Sequence, residues 1–215
     1  MIRGLIFDLD GTLVDSLPGI AAALNHALAE LGLPTYSEET VATFVGDGVD
    51  NLVRRALGES HADQHHDVLS RFQQHYPVDW KTGTHPYPGM MDLLEELSRE
   101  GTPMAVLSNK PHPYTVEIVE ALFPAGLFRP VRGHQPGSPR KPDPTTALEI
   151  VASWNLQPGE VAYVGDSTVD LATAEAAGLI PLIFSWGYGT PRDFPLLDSV
   201  DDFRQAIQAS RLPNS

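Results

Sequence analysis

Asp8 and Asp10, in the string Phe7-Asp8-Leu9-Asp10-Gly11-Thr12, are the side chains of this chain best suited to do chemistry. They follow the apolar run Leu5-Ile6-Phe7 and precede a glycine that lets the backbone turn. In an extended strand, residues i and i+2 point to the same side, so the two carboxylates converge on one small volume at the strand's carboxyl end. One carboxylate can attack phosphorus while its neighbour handles protons. An ionised pair this close needs a compensating cation, and an all-oxygen, partly hydrated site is what Mg²⁺ prefers. An acidic turn that merely ends a strand has the same composition, so the remainder of the chain must decide.

Three further clusters supply what such a site lacks. Gly165-Asp166-Ser167-Thr168-Val169-Asp170 follows an apolar run and opens a helix, with Asp166 placed to complete a metal site with Asp8 and Asp170 one helical turn on. Ser108-Asn109-Lys110 follows another apolar run, where a hydroxyl and exposed backbone N–H groups can grip phosphate oxygens. Arg140-Lys141-Pro142-Asp143-Pro144 puts Lys141 before a capped helix, where its ammonium can neutralise a nucleophile and a transferring group. Each cluster taken singly is an ordinary turn. Four of them at strand ends or helix starts, in that order, point to the ligand-binding edge of an open parallel sheet.

The elements that must carry them are readable from periodicity. Met104 to Leu107, Val161 to Val164 and Ile180 to Phe184 are short apolar runs separated by stretches of helical length, which predicts a Rossmann-like, doubly wound parallel α/β sheet. Helix starts are expected at Asp143-Pro144 and at Ser167 or Thr168, and a helix from Met90 to Arg99 ends before Gly101. Between Ser16 and about Trp80 no strand signal occurs. Ile20, Leu24, Ala27, Leu28 and Leu31 form one amphipathic stripe, and Val49, Leu52, Val53, Ala56 and Leu57 another. The expected organisation is a core of residues 1–15 and 86–215 with an inserted helical cap, 16–85. Asp15 to Pro18 serves as exit, and the turn-rich stretch Asp79 to Gly89 as return linker. Arg211 to Ser215 reads as a frayed tail.

Composition narrows the function classes. The 215 residues hold 28 acidic against 14 basic side chains, a formal charge of −14, which repels nucleic acid and anionic membrane. The absence of cysteine excludes disulfides, thiolate nucleophiles and cysteine-bound zinc. With charged Asp8 so early and Gly19 to Leu33 broken by Asn25, His26 and Glu30, no secretory or spanning segment is expected, and the protein reads as cytoplasmic. Other motifs carry less. His61, His65 and His66 include an i, i+4 pair without a third ligand at the right spacing. Val45-Gly46-Asp47-Gly48 lacks a preceding strand and the third glycine of a dinucleotide loop. Arg54 and Arg55 read as solvent-facing charges that could meet a substrate carboxylate, and Trp186-Gly187-Tyr188-Gly189 as a turn without assigned chemistry.

This ensemble resembles the haloacid dehalogenase superfamily of aspartate-dependent phosphohydrolases, over nearly the whole chain. Asp8, Asp10 and Thr12 match its first motif, Ser108 its second, Lys141 its third, and Asp166 and Asp170 its fourth. Leu13-Val14-Asp15-Ser16 and Thr43-Phe44-Val45-Gly46-Asp47-Gly48 are similar to phosphoglycolate phosphatases within it. The resemblance implies a Mg²⁺-dependent phosphomonoesterase of carbohydrate metabolism, acting on a small phosphorylated metabolite such as 2-phosphoglycolate, as monomer or homodimer. It makes Asp8 the nucleophile of an aspartyl-phosphate intermediate and Asp10 the acid and base. Thr12, Ser108, Asn109 and Lys141 are then substrate-binding, with Lys141 also catalytic. Asp8, Asp166 and the Asp10 carbonyl hold the metal, Asp170 supports them, and the cap closes over the substrate. The alternatives are a sugar-phosphate phosphomutase, in which valine tends to stand at the place of Thr12, a pyrophosphatase or other small-metabolite phosphatase, and a phosphoaspartate regulatory module.

Overall fold

The computed structural model describes residues 1–211, and the tail reading at 212–215 lies outside the described residues. The chain divides into two compact units, Met1–Leu13 with everything from Pro86 onward, and Val14–His85. It forms one buried strand, β1 (Gly4–Phe7), and then leaves the sheet. The excursion comprises β2 (Val14–Asp15), α1 (Leu17–Glu30), α2 (Glu38–Ala42), α3 (Val49–Leu57) and α4 (His65–Gly83), ending in β3 (His85–Pro86). β2 and β3 pair in a small sheet of their own.

Within the helical unit, helix reaches further toward both ends than the linker composition predicts. Asp79 to Gly83 is the last turn of α4 rather than linker, and Leu17 and Pro18 already belong to α1. Proline suits the first turn of a helix, where its missing N–H has no intrahelical partner. At the other end the apolar stripe wins over turn composition: Phe72, Tyr76 and Trp80 recur every four residues and all are buried, although Pro77 interrupts the hydrogen-bond ladder between them. Glycine then permits the packing. A Cβ on Gly83 would collide with the backbone of Gly19, and one on Gly19 would come within 3.0 Å of the Trp80 Cα, so the two helix backbones touch there.

In the other unit strands and helices alternate. α5 (Met90–Arg99), β4 (Met104–Pro111), α6 (His112–Leu122), β5 (Val131–His134), α7 (Thr145–Ser153), β6 (Val161–Gly165), α8 (Thr168–Ala177), β7 (Ile180–Phe184), β8 (Leu196–Leu197) and α9 (Val200–Arg211) follow in order. Six strands form one sheet in the order β5-β4-β1-β6-β7-β8, and every pairing is parallel. Successive residues of β1 face opposite layers, as strand geometry requires. Ile6 joins a core with Ala147 and Ile150 of α7 and Ala174 of α8, whereas Phe7 meets the rings of Phe128 and Phe203, the latter on α9. The sheet is therefore doubly wound. Its order reverses at β1: the chain passes outward through β4 and β5, then returns to add β6 on the other side. Ligands of such sheets bind beyond the carboxyl ends of the strands at that reversal.

Candidate active site

Asp8 is the first residue past β1, and Asp166 the first past β6. The parallel register pairs Phe7 with Val164, and the Asp8 N–H donates to the Val164 carbonyl at 2.8 Å, so the two strands end level. On the other flank of β1, Ser108, Asn109 and Lys110 lie in the second half of β4. Lys141 comes from the loop before α7, and Asp170 from the first turn of α8.

Lys141 lies between two carboxylates. Its Nζ donates to Asp170 Oδ1 at 2.7 Å and stands 2.9 Å from Asp8 Oδ1, with all three side chains buried. Asn109 fixes the lysine by its backbone, donating from Nδ2 to the Lys141 carbonyl at 3.1 Å and accepting the Lys141 N–H at 2.9 Å. Both ends of that amide are thereby engaged with Lys141. Asp170 accepts more: its Oδ2 takes the N–H groups of Asp166 and Ser167 and the Ser167 hydroxyl, at 3.2, 3.1 and 2.6 Å. Ser167 is the cap of α8, its Oγ accepting the Asp170 N–H. One capping box thus orders the helix start and the acidic cluster together.

Asp166 is gripped from both sides. Thr12 Oγ1 donates to its Oδ1 at 2.9 Å, and the Tyr188 N–H to its Oδ2 at 2.8 Å. Thr12, expected among the phosphate-binding residues, is placed on this carboxylate. Gly11, at φ +81°, and Gly187 both pack against Asp166 so closely that a Cβ on either would strike it. The Trp186-Gly187-Tyr188-Gly189 turn, given no chemistry in the sequence reading, therefore holds a member of the cluster. A usable signal existed: the turn follows β7, the neighbour of β6, at the same sheet edge.

Lys110 is the second residue the motif reading passed over. Its Nζ donates to both carboxylate oxygens of Asp10 at 2.9 Å, fixing that side chain in one orientation. Its own N–H donates to Ser108 Oγ at 3.3 Å.

Burial sets the electrostatics. Desolvation raises the Asp8 carboxyl from 3.8 to about 6, against the opposing pull of Lys141, and raises Asp166 to about 8, with the negative charges of Asp170 and Asp8 adding to it. Burial also disfavours a charged Lys141, yet Asp170 and Asp8 outweigh that cost and hold its ammonium well above the ordinary range. With the Lys110 ammonium paired to Asp10, the buried carboxylates of Asp8, Asp166 and Asp170 against Lys141 leave excess negative charge that a cation would relieve. One oxygen each of Asp8, Asp166 and Asp170 lie within 4.8 Å of one another. Asp170 is saturated by its donors, but Asp8 Oδ1 is buried without a hydrogen-bond partner, its approach to Lys141 being an ion pair lacking hydrogen-bond alignment. An all-oxygen donor set with an unfilled lone pair fits a hard divalent cation.

The discounted features of the helical unit have structural partners. Arg54 pairs with Asp50 at 2.8 Å, and Arg55 pairs with Asp47 and donates to the Phe44 carbonyl at 2.9 Å, bracing the loop before α3. His65 Nε2 lies 3.2 Å from the Asp50 carbonyl.

Fold and site together define an α/β enzyme whose acidic residues gather at the carboxyl edge of a doubly wound sheet. The profile of the haloacid dehalogenase-like hydrolases matches residues 5–182, and the chain belongs to that family. It is 41% identical to a phosphoglycolate phosphatase of Cereibacter sphaeroides, covering 86% of each chain. With the phosphoglycolate phosphatase of Escherichia coli K12 it shares 34% identity over 100% of this chain and 94% of that one. A crystal structure from Lactobacillus delbrueckii, provisionally described as a phosphoglycolate phosphatase, superposes with a TM-score of 0.89 at 29% identity, over 95% of this chain and 98% of the other. Among the described residues no helix is long and apolar enough to cross a membrane.

Proposed function

We propose that the protein hydrolyses small phosphate monoesters through an aspartyl-phosphate on Asp8, with 2-phosphoglycolate as substrate. The observation that carries this reading is Asp8 itself: buried, 2.9 Å from the Lys141 ammonium, with one oxygen unclaimed by any hydrogen bond. The Asp8 carboxylate attacks phosphorus, and the bond to the ester oxygen breaks. Asp10, which Lys110 holds as a carboxylate in this structure, takes up a proton when substrate binds and gives it to the leaving alkoxide; it then takes one from the water that cleaves the acyl-phosphate and releases phosphate. Lys141 and Ser108 bind the phosphoryl oxygens, and Asn109 keeps Lys141 in position. Asp8, Asp166 and the Asp10 carbonyl would hold Mg²⁺, with Thr12, Tyr188 and Asp170 orienting them. When bound, the ion neutralises the carboxylates and the charge on the phosphoryl group. The helical unit is the substrate-selecting cap of this scheme, and the substrate follows the relatives that carry that activity in their names. Thr12 favours the phosphatase over the phosphomutase reading, because valine could not donate to Asp166.

A panel of small phosphate esters with Mg²⁺ tests the proposal. The highest kcat/KM is expected for phosphoglycolate, and a preference for sugar phosphates or pyrophosphate would redirect it. Asp8→Asn is expected to abolish phosphate release in a folded protein. Retained turnover would remove the nucleophile assignment.

A further inference from the structure

A second cluster of metal-binding side chains lies wholly within the helical unit. α1 and α4 run antiparallel: Gly19 lies against Trp80 and Gly83, and Glu30 at the far end of α1 against Arg71 and His75. Midway, His26 of α1 faces His75 and Asp79, which are one turn apart on α4. One donor atom from each of His26, His75 and Asp79 lies within 4.8 Å of the others. His26 Nδ1 is 2.9 Å from Asp79 Oδ2, the two imidazoles are 5.2 Å apart, and Glu30 Oε1 adds a carboxylate 2.9 Å from His75 Nε2. Asp79 is largely sheltered while the His26 ring is 56% exposed, so the cluster has a firm base and an open side.

We propose that His26, His75 and Asp79 form a second metal site, for a transition ion of the zinc and copper class, that staples α1 to α4. Bonds of about 2 Å to a single ion place donor atoms roughly 3–4 Å apart, so side-chain rotation closes the cluster without moving either helix. Two imidazoles and a carboxylate select such ions, whereas the all-oxygen cluster at the sheet edge suits Mg²⁺. The two carboxylates of Glu30 and Asp79 stand against the one guanidinium of Arg71, an excess of acidic groups that favours a dication. No sequence spacing announces the site, because His26 and Asp79 are 53 residues apart. The histidines with suggestive spacing, His61, His65 and His66, are not part of it.

Copper(II) is a suitable probe, because nitrogen ligands split its electron paramagnetic resonance and oxygen ligands do not. The full-length protein in excess Mg²⁺, given one equivalent of Cu²⁺, is expected to show two-nitrogen coupling, and Zn²⁺ is expected to raise its Tm. His26→Ala and His75→Ala should each weaken copper binding on the order of 100-fold or more. Asp79→Asn, which keeps side-chain shape, should weaken it while preserving the nitrogen pattern. Circular dichroism matching the parent protein qualifies each variant as folded. The proposal is overturned by absence of a two-nitrogen signal, by a signal that survives in the His26→Ala, His75→Ala double variant, or by one that disappears when His61, His65 and His66 are replaced instead.

Discussion

Asp10 and Lys110 show how a residue acquires a role from its neighbour. The lysine donates to both oxygens of the carboxylate, so it selects one rotamer of a group that must face the leaving oxygen in the proposed reaction. Lys110→Met is expected to lower kcat on the order of 10²-fold, the lower end of what general acid–base catalysis contributes, with KM little changed. A fall confined to KM would mean that Lys110 binds substrate instead. Gly187 acts by being small: an alanine there drives its Cβ into Asp166. In Gly187→Ala the Mg²⁺ concentration for half-maximal activity should rise about 10- to 100-fold, as when the partners of a metal ligand are disturbed. Unchanged metal dependence would separate Asp166 from the metal.

At the level of elements, the α1 and α4 pair rests on glycines that let backbones meet. Gly83→Ala places a methyl group against the Gly19 backbone, an overpacking that should cost about 1–3 kcal/mol, read as a lowered denaturant midpoint. Gly159→Ala, where a Cβ meets nothing, is the control and should be neutral. Equal midpoints for the two variants would show that the helices adjust freely. The same pair explains why Asp79 to Gly83 is helical although its composition predicts linker. Asp79-Trp80-Lys81-Thr82-Gly83 has turn composition, and the packing of Trp80, the pairing of Asp79 with His26 and the contact of Gly83 with Gly19 hold it against α1 as helix. The strands at β1, β4, β6 and β7 were readable because a strand buried in a parallel sheet needs an unbroken apolar run. β5 escaped notice, since Val131-Arg132-Gly133-His134 is half-buried at the sheet edge and has no such run.

The molecule as a whole carries a pH signature from its buried acids. Asp8 and Asp166 start near 3.8 in the unfolded chain and rise to about 6 and about 8 when folded. The folded state therefore binds protons that the unfolded state has released. The resulting stabilisation is complete below the unfolded value and is lost as pH rises through about 6 and then about 8. Metal-free protein should lose Tm between about pH 4 and about pH 8, and added Mg²⁺ should restore more at the alkaline end, because the ion replaces those protons. A Mg²⁺ effect larger in acid would contradict the cluster's assignment as a cation site. From the residue string came the two acidic motifs, the lysine, the α/β alternation and the helical insertion, because local periodicity and turn chemistry report on neighbours in the chain. Folding added what those could not contain: the β5-β4-β1-β6-β7-β8 order that levels Asp8 with Asp166, the grip of Tyr188 on Asp166, and the meeting of His26 with His75 and Asp79. Those contacts join residues between 22 and 158 positions apart, and at such separations only the packing of whole elements determines which side chains meet.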